Sequence, residues 1–163
     1  MKTKLNLKLI TTFLLILACG NLLFAKTKEK AIPPATNLTD QDVIAYADNF
    51  LAINEELSSY NNIDKEMNLE DVEKVIGEKE MTKVLKKYGI SNPSPRKKVD
   101  MIMICYSKFK VEKELANEPA FLQSAIKKKL EKEFEANINP DDEEVVKRNF
   151  EYIDEKLTPL FEE

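Results

Sequence analysis

Residues 97–115, KKVDMIMICYSKFKVEKEL, constrain the fold more than any other stretch of the chain. Val99, Ile102, Tyr106 and Phe109 recur at the three-and-four spacing of one helical face, and Met101, Ile104, Cys105, Val111 and Leu115 fall on adjoining faces. A helix apolar over so much of its circumference must be covered on several sides. The stretch therefore predicts a buried central helix with two-faced neighbours packed around it. Ser94 is expected to cap its first amides and Pro95 to sit in its first turn, where no amide hydrogen is needed. Asn117 and Pro119 end it. On propensity alone the β-branched content near Val99 and the alternation Phe109, Lys110, Val111 also read as a strand. Length decides for the helix, because these nineteen residues far exceed the roughly five or six of a usual strand. No second strand candidate exists to pair its backbone.

The flanking segments have the two-faced character this requires. Thr39 opens a first helix with Asp40 and Asp42 in its first turn, where negative charge suits exposed amides. Val43, Tyr46, Phe50, Ile53, Leu57 and Tyr60 then form a seam with a seven-residue repeat. Asn139 and Pro140 open a last helix, with Asp141, Asp142, Glu143 and Glu144 in its first turn. Val146, Phe150, Ile153, Leu157 and Leu160 repeat the seam there, and Thr158 with Pro159 is expected to bend or fray its end. Both seams are candidate surfaces for a protein partner or a second copy. They are shorter than the three or four heptads a coiled coil needs, which favours packing within the chain.

Between them, Asn68 caps a second helix with Leu69, Val72, Val75 and Ile76 inward, and Gly77 is expected to kink or briefly break it before Met81, Val84, Leu85 and Tyr88 resume. Gly89 fits the left-handed position that stops a helix, with Ile90 folding back. Pro119 opens a further helix carrying Phe121, Leu122, Ala125, Ile126, Leu130 and Phe134. The expected architecture is all-α: one bundle of about five helices over 39–163, around a Met/Ile-rich centre.

Ahead of this domain lies a leader. Lys2, Lys4 and Lys8 precede an apolar run over 9–19 that is short for a membrane span, the layout of an export signal. Cleavage after Ala25 competes with a second route. Ile16, Leu17, Ala18 and Cys19 resemble a bacterial lipobox, in which Cys19 would be lipidated and the protein held at the membrane. The apolar start, Leu22 to Ala25, that the lipid route would leave favours cleavage. Residues 26–38, with Pro33 and Pro34, read as an extended spacer outside the core.

Loss of residues 1–25 removes three lysines and no acid, leaving 22 bases against 29 acids and a net charge of −7. That balance argues against nonspecific nucleic-acid binding. Only Cys105 would then remain, so an internal disulfide is impossible and this cysteine reads as a small buried hydrophobe.

The chain contains no histidine, which removes the commonest general base and metal ligand and every Ser/His/Asp arrangement. Glu131 and Glu135 share a helix face, a common and usually inert pairing. Asp40 and Asp42 begin a calcium-loop pattern that lacks its glycine and terminal acid. The quartet at Asp141 is explained by the helix dipole. With three glycines in all, no phosphate-binding loop exists. No catalytic residue, metal site or cofactor is expected. Arg96, Lys97 and Lys98 read as a solvated face, as do Lys127, Lys128 and Lys129, for which contact with anionic lipid or an acidic partner is the sharper alternative.

The succession LTDQDVIAYADNF, LKKYGI and NEPAFLQSAI resembles a family of exported bacterial helical domains of unknown function. The resemblance implies an envelope setting and an all-α fold and carries over no functional residue. The expected role is that of a noncatalytic exported envelope protein, periplasmic or lipid-anchored, that binds a protein partner or itself through helix faces. The alternative is a carrier of a lipid or apolar peptide, with the Met, Ile, Phe and Tyr of the central helix lining a pocket.

Overall fold

The computed structural model describes residues 33–64, 67–120, 123–124, 126–127, 134 and 137–161. Cys19 and the leader lie outside the described residues, as do Phe121, Leu122, Ala125, Lys128, Lys129, Leu130, Glu131 and Glu135. The chain is all-helical, with no strand among the described residues. Among the described residues six helices are given bounds: α1 Asp40–Ser58, α2 Leu69–Ile76, α3 Glu78–Lys87, α4 Pro95–Leu115, α5 Pro140–Arg148 and α6 Phe150–Phe161.

Helix α4 is the central stretch of the sequence, and it packs against α1, α3, α5 and α6. Val99, Ile102 and Cys105 are fully enclosed, and Met101, Tyr106, Val111 and Leu115 are buried. Full burial of one such aliphatic side chain stabilises by about 1.5–3 kcal/mol. Its start differs from expectation. Pro95 holds the first position, but Ser94 adopts a left-handed conformation (φ 54°) and its side chain makes no cap bond. The Ser94 carbonyl instead accepts from the Lys98 amide at 3.2 Å.

Thr39 caps α1 as a reciprocal box, its hydroxyl accepting from the Asp42 amide while the Asp42 carboxylate accepts from the Thr39 amide. Of the kink or short break expected at Gly77, the break is found: at φ +86° it ends α2 and begins α3. Val72 faces the core with Leu69 and Ile76 against it, whereas Val75 points outward, 45% exposed, against the inward position expected of it. Gly89, at φ +90°, closes α3, and Ile90 returns its amide to the Leu85 carbonyl at 3.1 Å. A side chain at Gly89 would also meet the Ala45 Cβ at 3.2 Å, so shape and backbone both require glycine there.

The last helix divides in two. Asn149 Nδ2 takes the Val145 carbonyl at 2.8 Å while its own amide turns to Val146, so an amide side chain substitutes for the backbone ladder. Pro159 lies within the final turn of α6, which continues to Phe161.

The segment ahead of α1 also departs from the spacer reading. Leu38 is part of the core. The buried Asp142 carboxylate accepts the Thr36 amide at 2.8 Å and the Leu38 amide at 3.2 Å, and Asn139 Nδ2 donates to the Pro33 carbonyl at 2.9 Å. Asn37 between them has φ 57°, a left-handed turn that asparagine tolerates.

Candidate functional site

The most enclosed charges among the described residues meet where α1 begins, α3 has ended and α4 starts. Asp42 is 0% and Lys98 1% exposed. Lys98 Nζ donates to Asp42 Oδ2 at 2.9 Å and to Ser91 Oγ at 2.7 Å. Asp42 further accepts from the Ser91 amide at 2.6 Å and from the Thr39 hydroxyl at 2.7 Å. Burial pushes the Asp42 carboxyl up, but Lys98, Ser91 and Thr39 together overcome it and hold the group below its ordinary value. The Lys98 ammonium is bonded to both Asp42 and Ser91, so the arrangement joins three segments of the chain. Lys98 is thus no part of a solvated face, contrary to expectation. The carboxylate that neutralises it lies 56 residues earlier.

A second ionic cluster lies where α2 meets α4. Arg96 Nε pairs with Glu73 at 2.9 Å, and its Nη1 pairs with Asp100 one turn along the same helix. The side chains of Arg96, Glu73 and Asp100 are 18%, 23% and 20% exposed. Burial, opposed by the Arg96 charge and reinforced by Glu73 and Glu70, pushes the Asp100 carboxyl up to about 6.

On the opposite side, Asp154 binds Lys110 Nζ at 2.7 Å, Lys113 Nζ at 3.0 Å and the Thr158 hydroxyl at 2.7 Å, linking α6 to α4. Burial opposes ionisation of Asp154, and these three donors hold its carboxyl well below the usual range nonetheless. A surface recess of about 440 Å³ beside it is lined by Glu151, Asp154, Glu155, Thr158 and Pro159. The lining brings together three carboxylate side chains, a hydroxyl and a proline ring, and none of the central-helix Met, Ile, Phe or Tyr side chains that the carrier reading invokes.

The two seams lie inward. Val43, Tyr46, Ile53 and Leu57 of α1 and Val146, Phe150, Ile153 and Leu157 of α5 and α6 are buried, with Phe50 and Tyr60 partly covered. Helices α1 and α6 pack on one another, and Phe150 stands edge-on to Phe109 at 5.8 Å. The side chains singled out as a partner surface are therefore covered by the chain's own helices. Leu160 alone of the repeat emerges, 37% exposed. Lys127 is exposed; its neighbours Lys128 and Lys129 lie outside the described residues. Burial pushes the Cys105 thiol up to about 12, which leaves it unreactive at neutral pH.

Sequence reasoning missed Asp42–Lys98, Arg96–Glu73–Asp100 and the Asp142 grip. Asp42, Lys98, Arg96 and Asp142 read in the sequence only as first-turn or solvated charges, and Glu73 and Asp100 carry no signal there at all. Among the described residues no group of acids and cysteine is placed to hold a metal ion, and no helix is long and apolar enough to cross a membrane. No family model, curated protein or solved structure matches the chain, so the resemblance to exported helical domains gains no support from these comparisons.

Proposed function

We propose that this chain is a noncatalytic, exported cell-envelope protein, a single helical bundle gathered round α4, that acts by presenting helix faces to a protein partner. The Asp42–Lys98 node carries this reading. The deepest charges are saturated by one another and by backbone amides, so they fix the relative placement of α1, the turn at Ser91 and α4. A frame held in this way displays its outer surfaces in fixed register. With the seams turned inward, contact falls to the outer faces. Leu51 on α1, 52% exposed, is the most open large apolar side chain among the described residues.

A photocrosslinker at Leu51, compared with one at the buried Ile53, tests the reading in the native envelope. Adducts with a discrete protein at Leu51 and none at Ile53 are expected. Monomer alone at both sites, and at Val75 and Leu160 as well, would remove the proposal.

A further inference from the structure

The α2–α4 contact differs from every other ionic contact described above in having more negative than positive charge. Glu73 of α2 and Asp100 of α4 share the guanidinium of Arg96, and Glu70 of α2 adds its negative charge to the surroundings of Asp100. Glu70 has its own cation in Lys74 at 3.0 Å, but that pair is exposed on the outer side of α2. Helix α1 faces the cluster with Tyr46, whose hydroxyl burial keeps protonated, so it adds no charge. Arg96 must therefore serve both Glu73 across the interface and Asp100 along its own helix.

Helix α2 is also the least anchored element at this interface. It has eight residues, and Val72 is its only fully core-facing side chain, with Leu69 and Ile76 partly covered. It leaves into α3 through Gly77, where an added Cβ would meet nothing within 4 Å, so no side chain or backbone packs against that side of the junction. Its polar tie to α4 is the Arg96–Glu73 pair.

We infer that α2 is a proton-responsive flap: protonation of Asp100 frees Arg96 for Glu73 and clamps α2 onto α4, whereas ionisation of Asp100 loosens it about Gly77.

The direction follows from linkage. With α2 docked, Asp100 is desolvated and lies beside two other carboxylates, and its carboxyl stands at about 6. When α2 lifts, water reaches Asp100 and the carboxyl returns towards its ordinary 3.8, releasing a proton. Opening is therefore opposed by acid and promoted as pH rises through about 6. If lifting restores Asp100 in full, the opening equilibrium changes by up to about tenfold between pH 5 and pH 8. What lifting uncovers is the Leu69, Val72, Ile76 stripe, an apolar strip that is otherwise covered.

Amide hydrogen exchange of residues 69–76 in the full chain, corrected for intrinsic rates and referenced to α1, tests this between pH 5 and pH 8. Protection is expected to fall by up to about tenfold as pH rises. Asp100→Asn should remove the dependence and retain the acid level of protection, and Glu73→Gln should lower protection at every pH. Flat protection in the native chain, or an unchanged slope in Asp100→Asn, would overturn the inference. Direct titration of the Asp100 carboxyl carbon in the native chain does not depend on the variants folding: a midpoint near 6 supports the flap, and one near 4 removes it.

Discussion

Asp42 and Asp100 are both enclosed carboxylates with a cationic partner on α4, yet they are shifted in opposite directions. Asp42 receives two backbone amides, from Thr39 and Ser91, together with a hydroxyl and an ammonium. Asp100 has a share of one guanidinium that also serves Glu73. Desolvation acts on both. It is outweighed at the first, whose carboxyl falls, and prevails at the second, whose carboxyl rises. The number of donors decides more than the presence of an opposite charge, because the amides are held by the fold and bring no competing carboxylate with them.

The largest break in this comparison is Lys98→Met. It strands Asp42 without its cation in the interior, and unfolding in urea at pH 7 should register a loss of about 3–5 kcal/mol. A loss below about 1 kcal/mol would mean that the amides alone suffice. Asp100→Asn should act in the opposite sense. The penalty for ionising Asp100 is absent below pH 4, grows as pH rises and is complete above about 6. The variant is therefore expected to gain about 1–3 kcal/mol at pH 8 and almost nothing at pH 4. Asp42 contributes stability above its ordinary value and loses that contribution as pH falls through its lowered one, so acid unfolding should report Asp42 and mild acid should report Asp100. Thr39→Ala removes the cap of α1 and the hydroxyl donor to Asp42 but leaves both amides, and about 1 kcal/mol is expected from thermal melts. Smallest is Arg148→Ala, which cuts the half-exposed pair with Asp40; solvent screening is expected to leave only a marginal shift in thermal melts.

Helix positions were legible where a residue has a local reason to stop or start a helix. Thr39, Asn68, Gly77, Gly89, Pro95 and Asn139 each mark a boundary through capping, a left-handed turn or a missing amide. The burial of the central helix followed from its apolar circumference, and the inward seams from their repeat. The break at Asn149 was illegible, because it depends on Asp40 and Val145 engaging the same side-chain amide. Charges were misread for a related reason. Within Arg96, Lys97 and Lys98 the sequence offers three similar cations, and only the distant carboxylates Glu73 and Asp42 distinguish them. Asp142 is the same case, since its first-turn position explains a charge there but not its enclosure.

The grip of Asp142 on the amides of Thr36 and Leu38, with Asn139 on the Pro33 carbonyl, has a mechanical consequence. Tension applied at the leading end enters the molecule at the start of α5, 106 residues further along the chain, before it reaches α1. Three hydrogen bonds must shear together before the first helix can be peeled away. Residues 33–38 are thus moored to the half of the chain that is made last.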